Sequence, residues 1–144
     1  VGTLTVTAAA GPSAEEAPIA EDVAIDMLDF QFVIDGQFAA GEQVLRIGNS
    51  GSELHEVIFF KLHEGKSVAD FMALMDEEMR GEPVPESEIP GVFVGGTFVS
   101  PGRVAYTARQ FEPGEYVLIC FIPSPAHEMQ PHAMLGMIQQ VTVQ

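Results

Sequence analysis

Short apolar runs, each closed by a Gly, Pro, Asn or Asp turn, limit most strongly what this chain can fold into. They have the length of β-strands and are too short to build a helical bundle. Leu28, Phe30, Phe32 and Ile34 alternate with Asp29, Gln31 and Val33, which predicts a half-buried strand ending at the Asp35-Gly36 turn. Gln43 to Gly48 predicts another, stopped by Asn49-Ser50-Gly51. Val57, Ile58, Phe59 and Phe60 are apolar without a break, so the strand from Glu56 to Leu62 belongs in a core. Arg103 to Arg109 alternates and predicts an outer strand. Tyr116 to Phe121 and Ile138 to Val143 complete the set. With 14 Gly and 10 Pro in 144 residues, turns are frequent enough for an all-β chain.

One segment has helical spacing. Ser67 is placed to cap a helix, with Asp70 at the third following position, and Val68, Phe71, Met72, Met75 and Met79 recur along one face. Gly81 and Pro83 stop the run. The Met stripe reads as filler on an inner face rather than a copper-binding box, and Asp76-Glu77-Glu78 as the solvated face. Glu82 to Pro101, rich in Pro and Gly, is expected to be a long irregular connection. The expected fold is an all-β, Greek-key β-sandwich with one short helix inserted in a crossover. It occupies residues 23–144, and residues 1–22 read as an N-terminal arm or linker.

The balance of 21 acidic against 6 basic residues gives a formal net charge of −15. Nucleic acid and direct binding to an anionic membrane are excluded on that ground, since both need a basic surface. A basic partner protein is compatible. The longest uncharged stretches, such as Ile89 to Gly102, are interrupted by Gly and Pro and are too short to cross a bilayer. A single Cys forbids an internal disulfide. The start at Val1, without a basic or long apolar leader, fits a removed targeting segment or a trimmed chain.

The groups able to hold a metal are concentrated. Cys120 ends an apolar strand, His127 and His132 follow it, and Met129, Met134 and Met137 are interleaved with them. His55 opens the core strand. Thiolate, imidazole and thioether are soft and borderline donors, and one Cys, two His and a weak axial Met make a trigonal blue-copper site. Zinc more often draws several Cys, or three firm ligands and an open position.

The chain resembles the cupredoxins, the plastocyanin-like copper proteins. The resemblance rests on three stretches, and the Phe30-x-Phe32 strand also fits. Asn49-Ser50-Gly51-Ser52-Glu53-Leu54-His55-Glu56-Val57 is similar to the family's turn and His before a core strand. Pro113-Gly114-Glu115-Tyr116-Val117-Leu118-Ile119-Cys120 is similar to its Pro-Gly-x-Tyr strand ending in the copper Cys. Pro131-His132-Ala133-Met134-Leu135-Gly136-Met137 is similar to its Pro-His, four residues, Met pattern.

The resemblance implies one type 1 copper per chain, held by His55, Cys120, His132 and Met137. It also implies a one-electron carrier between redox partner proteins, not an enzyme. The edge of His132 would be the electron exit, ringed by Pro131, Ala133, Met134 and Leu135. A monomer in an exported setting is expected: periplasmic, or extracytoplasmic with membrane association through a removed N-terminal segment. The alternative is a copper-binding or copper-delivery protein using the His/Met-rich stretch 127–137.

Two departures from the family pattern stand out. Phe121 to Pro131 makes the spacing from Cys120 to His132 long, so Phe121 to Gln130 is expected to bulge out of the site. The residue after the first His, often Asn in plastocyanin-like sequences, is Glu56. His63 reads as an exposed turn residue. His127 reads as a solvated loop residue, with the competing roles of equatorial ligand or second weak copper site.

Overall fold

The computed structural model describes residues 18–144. Most of the expected arm over residues 1–22 lies outside them. The strands are β1 (Val23–Leu28), β2 (Gln31–Gly36), β3 (Gly41–Asn49), β4 (His55–Leu62), β5 (Gly91–Val99), β6 (Val104–Phe111), β7 (Gly114–Ile119), β8 (Pro123–Ser124), β9 (Gln130–Pro131) and β10 (Ile138–Val143). Two four-stranded sheets, ordered β2-β1-β3-β6 and β10-β7-β4-β5, pack as a sandwich, and β8 and β9 form a small ladder of their own. One helix, α1 (Val68–Met79), lies in the connection from β4 to β5, which are neighbours in one sheet.

Alternation explains the first sheet. Val23, Ile25 and Met27 of β1 and Leu45 and Ile47 of β3 are buried, with partly exposed residues between them. In the second sheet the two central strands, β4 and β7, are apolar on both faces because both are covered. Val57 and Phe59 of β4, with Tyr116 and Leu118 of β7, point into the sandwich core. Val117, Ile119 and Leu62 lie in an outer layer with Phe71 and Met75 of α1. The unbroken run Val57–Phe60 therefore reflects a strand buried from both sides.

The helix starts where expected. The Ser67 N–H donates to Asp70 Oδ2 at 2.8 Å and the Ser67 hydroxyl donates to the same oxygen at 3.0 Å. Met75 fills the outer layer and Met79 is exposed, so the Met stripe is packing and surface rather than a metal box.

Two expectations need correction. The run from Leu28 to Ile34 is not one strand: a two-residue turn at Asp29-Phe30 divides it into the hairpin β1–β2, with Met27 opposite Phe32. The stretch from Glu82 to Pro101 is not irregular throughout, because its second half is β5, the edge strand paired to β4. The ladder slips between Phe59 and Phe60, opposite Gly95. Gly95 has φ +154°, and a Cβ there would collide with the Arg109 guanidinium, so a side chain is excluded on two grounds.

Phe59 anchors the inner core. Its ring meets Phe111 edge-on at 5.7 Å and Phe38 at 6.3 Å, with the Arg109 guanidinium 5.8 Å from its centroid. Phe59→Ala should lower stability by about 3–5 kcal/mol through lost burial and a residual cavity. Denaturant unfolding measures it; a loss below about 1 kcal/mol would mean the core closes over the gap.

Candidate metal centre

Two connections at one end of the sandwich, β3 to β4 and β7 to β10, converge on the same point. The first follows β3, whose last residue, Asn49, is buried. Its Nδ2 donates to Glu53 O at 2.9 Å and Val99 O at 2.7 Å, while its Oδ1 accepts from Gly51 N at 2.9 Å. This folds residues 49–53 into a fixed turn and delivers His55 as the first residue of β4. Gly51 is needed in that turn: a Cβ there would lie 2.6 Å from His55 Nε2.

Cys120 comes directly after β7. Its N–H donates to Met137 O at 3.1 Å and its carbonyl accepts from Ala133 N at 2.9 Å. His132 opens a 3₁₀ turn, His132–Leu135. Its N–H donates to Ile122 O at 2.8 Å, and its carbonyl accepts from Met137 N at 3.0 Å. The loop is thus wound around Cys120 by backbone bonds. Ala133 is anchored in the outer layer under α1, whereas Met137 belongs to the inner layer with Cys120.

The side-chain donors of His55, Cys120 and His132 all lie within 4.8 Å of one another. His55 Nδ1 is 3.0 Å from His132 Nδ1, and Cys120 Sγ is 3.4 Å from His132 Nδ1. The Glu56 N–H points at Cys120 Sγ from 3.5 Å. All three residues are fully buried, as is Met137.

The far side of each ring is occupied. His55 Nε2 is 2.8 Å from Asp29 Oδ1, and His132 Nε2 is 2.9 Å from Glu53 Oε2. Burial alone would raise the Asp29 carboxyl, but hydrogen bonds from Ser52, His55 and Glu53 outweigh it and hold the group well below the usual carboxylate range. Burial likewise works against Glu53, and the Ser124 hydroxyl and His132 hold it down. Burial pushes the His55 imidazole below its ordinary value and favours the neutral ring.

Two carboxylates can only accept, so the tautomer they select in a neutral ring has its proton on Nε2 and a lone pair turned inward at Nδ1. Two lone pairs 3.0 Å apart beside a thiol repel one another until a cation lies among them. Burial also pushes the Cys120 thiol up to about 11, so near neutral pH it carries a proton that a soft cation would displace.

By sequence, no family model and no curated protein matches the chain. By structure, it is similar to dithionite-reduced auracyanin from the photosynthetic bacterium Roseiflexus castenholzii. The TM-score is 0.53 at 19% identity over 84% of this chain and 94% of that one. It is also similar to auracyanin A, a blue copper protein from Chloroflexus aurantiacus, with a TM-score of 0.51 at 14% identity over 84% of this chain and 96% of that one. The fold is that of a cupredoxin. Within this cupredoxin fold, a thiol and two inward-facing imidazoles fit one type 1 copper site.

The structure brings His55, Cys120 and His132 together and places Met137 in the same apolar layer as Cys120. His63 is exposed beyond β4. His127 is exposed on the insert, its Nδ1 2.9 Å from Ser124 Oγ, and does not join the cluster. Met129 is exposed and Met134 packs at the edge of the outer layer.

The insert leaves the ligand cluster as expected, with residues 125–129 exposed, but it does so as an ordered element rather than a loose bulge. Pro123 pairs with Pro131 and Ser124 with Gln130, so the insert folds back as a small hairpin. Ser124 is buried and its hydroxyl donates to Glu53 Oε1 at 2.8 Å. The insert therefore helps to cover the site. The expected open edge at His132 is corrected with it: that ring is 0% exposed, Ala133 is buried as well, and Glu53 occupies Nε2.

Asp29, Glu53 and Ser124 were not singled out from the sequence. They are 26, 79 and 71 positions from the residues they serve or hold, and no local spacing links them. Glu56 fills the Asn position of the family pattern in its own way. Its Oε1 accepts from Phe121 N at 3.0 Å, tying β4 to the residue after Cys120.

Proposed function

We propose that the chain holds one copper ion through His55, Cys120 and His132, with Met137 as the weak axial ligand, and carries single electrons between redox proteins. The observation supporting this most directly is the convergence of three fully buried donors on one point. A buried, protein-made ligand set offers no face to a substrate, which suits outer-sphere transfer and not turnover. Copper in a site of this type alternates between the +1 and +2 states.

The protein's own contribution is to hold the donors still. Asp29 and Glu53 fix both rings, and the Glu56 N–H faces the sulfur. A net charge of −15 suits docking, as a monomer, to partners with a basic surface. We also place the protein outside the cytoplasm, where its one thiol, being fully buried, is shielded from oxidation.

Titrating the metal-free protein with copper(II) tests the reading. One equivalent per chain and an intense visible band are expected, and the band should disappear and return through cycles of one-electron reduction and oxidation. Copper passing freely to a chelator on reduction would favour a delivery role instead. No visible band at full loading would overturn the type 1 assignment.

A further inference from the structure

Electron tunnelling weakens steeply with distance, so an electron enters where the ligand cage comes nearest the surface. His132 offers no edge of its own, since it is 0% exposed and Glu53 occupies its Nε2. Phe30 lies between that ring and solvent. Its centroid is 5.0 Å from the His132 ring and 5.0 Å from the His127 ring, tilted edge-on to both. Phe30 is half-buried and His127 is exposed, so the rings His132, Phe30 and His127 form a continuous stack from cage to surface.

The backbone at this place is unusual. Among the described residues, the non-glycine residues with positive φ are Phe30 at 70°, Glu128 at 55° and Met129 at 64°. All belong to the two loop tips joined by the Phe30–His127 contact. Each such conformation costs on the order of 1–3 kcal/mol and is kept only where the surroundings impose it. Here it presents Phe30 to both His rings and leaves Met129 55% exposed.

The loops that carry this surface are acidic, while Arg46 and Arg103 line the groove beside Asp26 and Ser50. Asp29, Glu53 and Glu128 lie around the surface, and the segments 26–30, 49–56 and 121–135 contain no Lys or Arg. An apolar centre of Phe30 and Met129 inside an acidic rim fits a redox protein with the complementary arrangement, an apolar centre inside a basic rim.

Resting on the copper reading above, we propose that electrons pass through a composite surface of Phe30, His127 and Met129, docked by its acidic rim to a basic redox protein, and not through the edge of His132.

Hexaammineruthenium(II) is a suitable probe. It is a cation that gives up one electron, becoming ruthenium(III), while the copper(II) protein becomes the copper(I) protein. Glu128→Lys should slow this reduction severalfold at low salt. Glu42→Lys makes the same charge change on exposed Glu42, at the far end of β3, and should slow it much less. The difference should fade as salt screens the charges. Equal slowing by the two variants would overturn the proposal. Both variants should keep the wild-type visible spectrum; a wild-type protein with no such spectrum would instead sink the copper reading itself.

A second readout needs no copper. Diethyl pyrocarbonate labels accessible imidazoles, and peptide mass spectrometry of the metal-free protein should show His127 modified and His132 protected. His132 labelling as fast as His127 would show an open edge and overturn the proposal.

Discussion

Cys120→Ser should abolish the intense visible band of the copper(II) form and remove most of the affinity for copper(I). The band of a type 1 site comes from charge transfer between a thiolate and copper(II), and a serine oxygen is a harder donor with no equivalent transition. The substitution is close to isosteric, so folding should survive it. Cys120 is buried at the end of β7, and the bonds that wind the ligand loop around it come from its backbone: N–H to Met137 O at 3.1 Å and carbonyl from Ala133 N at 2.9 Å. Loss of colour with an unchanged unfolding midpoint is therefore expected in the metal-free state. Absorption spectra of loaded protein and denaturant curves of metal-free protein check the two halves separately. An unchanged visible spectrum in Cys120→Ser would rule out Cys120 as the source of the colour.

The parts of the fold that were legible in the sequence are those where a local pattern met no competing force. β10 runs over Ile138–Val143 as expected, and the capping box Ser67/Asp70 marks the start of α1. β4 was legible because burial on both faces leaves an unbroken apolar run.

The β1–β2 hairpin was not, for a reason of parity. A two-residue turn places Met27 opposite Phe32 on one face, although a straight strand would send them to opposite faces. The turn is also made by Asp29-Phe30 with Phe30 at φ 70°, where a glycine or asparagine would have announced it.

β5 was hidden by its own composition. Gly95-Gly96 and the flanking prolines read as a loop, but Gly95 makes room for Arg109 and Gly96 for Ile58, and this edge strand exposes Val92, Phe93 and Phe98. At the site, the donor types and their motif spacing were legible. The carboxylates that orient them were not, because Asp29 and Glu53 reach the rings only through the tertiary fold.

His132→Ala should abolish or reshape the copper(II) spectrum, while His127→Ala should leave it essentially unchanged. The two residues are five positions apart on one loop, and composition alone leaves their roles interchangeable. Geometry separates them. His132 Nδ1 lies 3.4 Å from Cys120 Sγ, and its Nε2–H is engaged by Glu53, so its only free lone pair faces the cage. His127 is exposed, with Nδ1 on the Ser124 hydroxyl, and the fold-back of the insert keeps it on the outer side of Phe30. Removing His132 takes one of three strong donors from the cation and leaves the Glu53 carboxylate with only Ser124 as a side-chain partner. Water can then enter the space and complete the coordination, which would convert a compact trigonal set into a wider, more polar one. His127→Ala removes only a ring at the surface. Recording both spectra at equal copper loading decides the matter, because a band lost in His127→Ala and kept in His132→Ala would exchange the two roles.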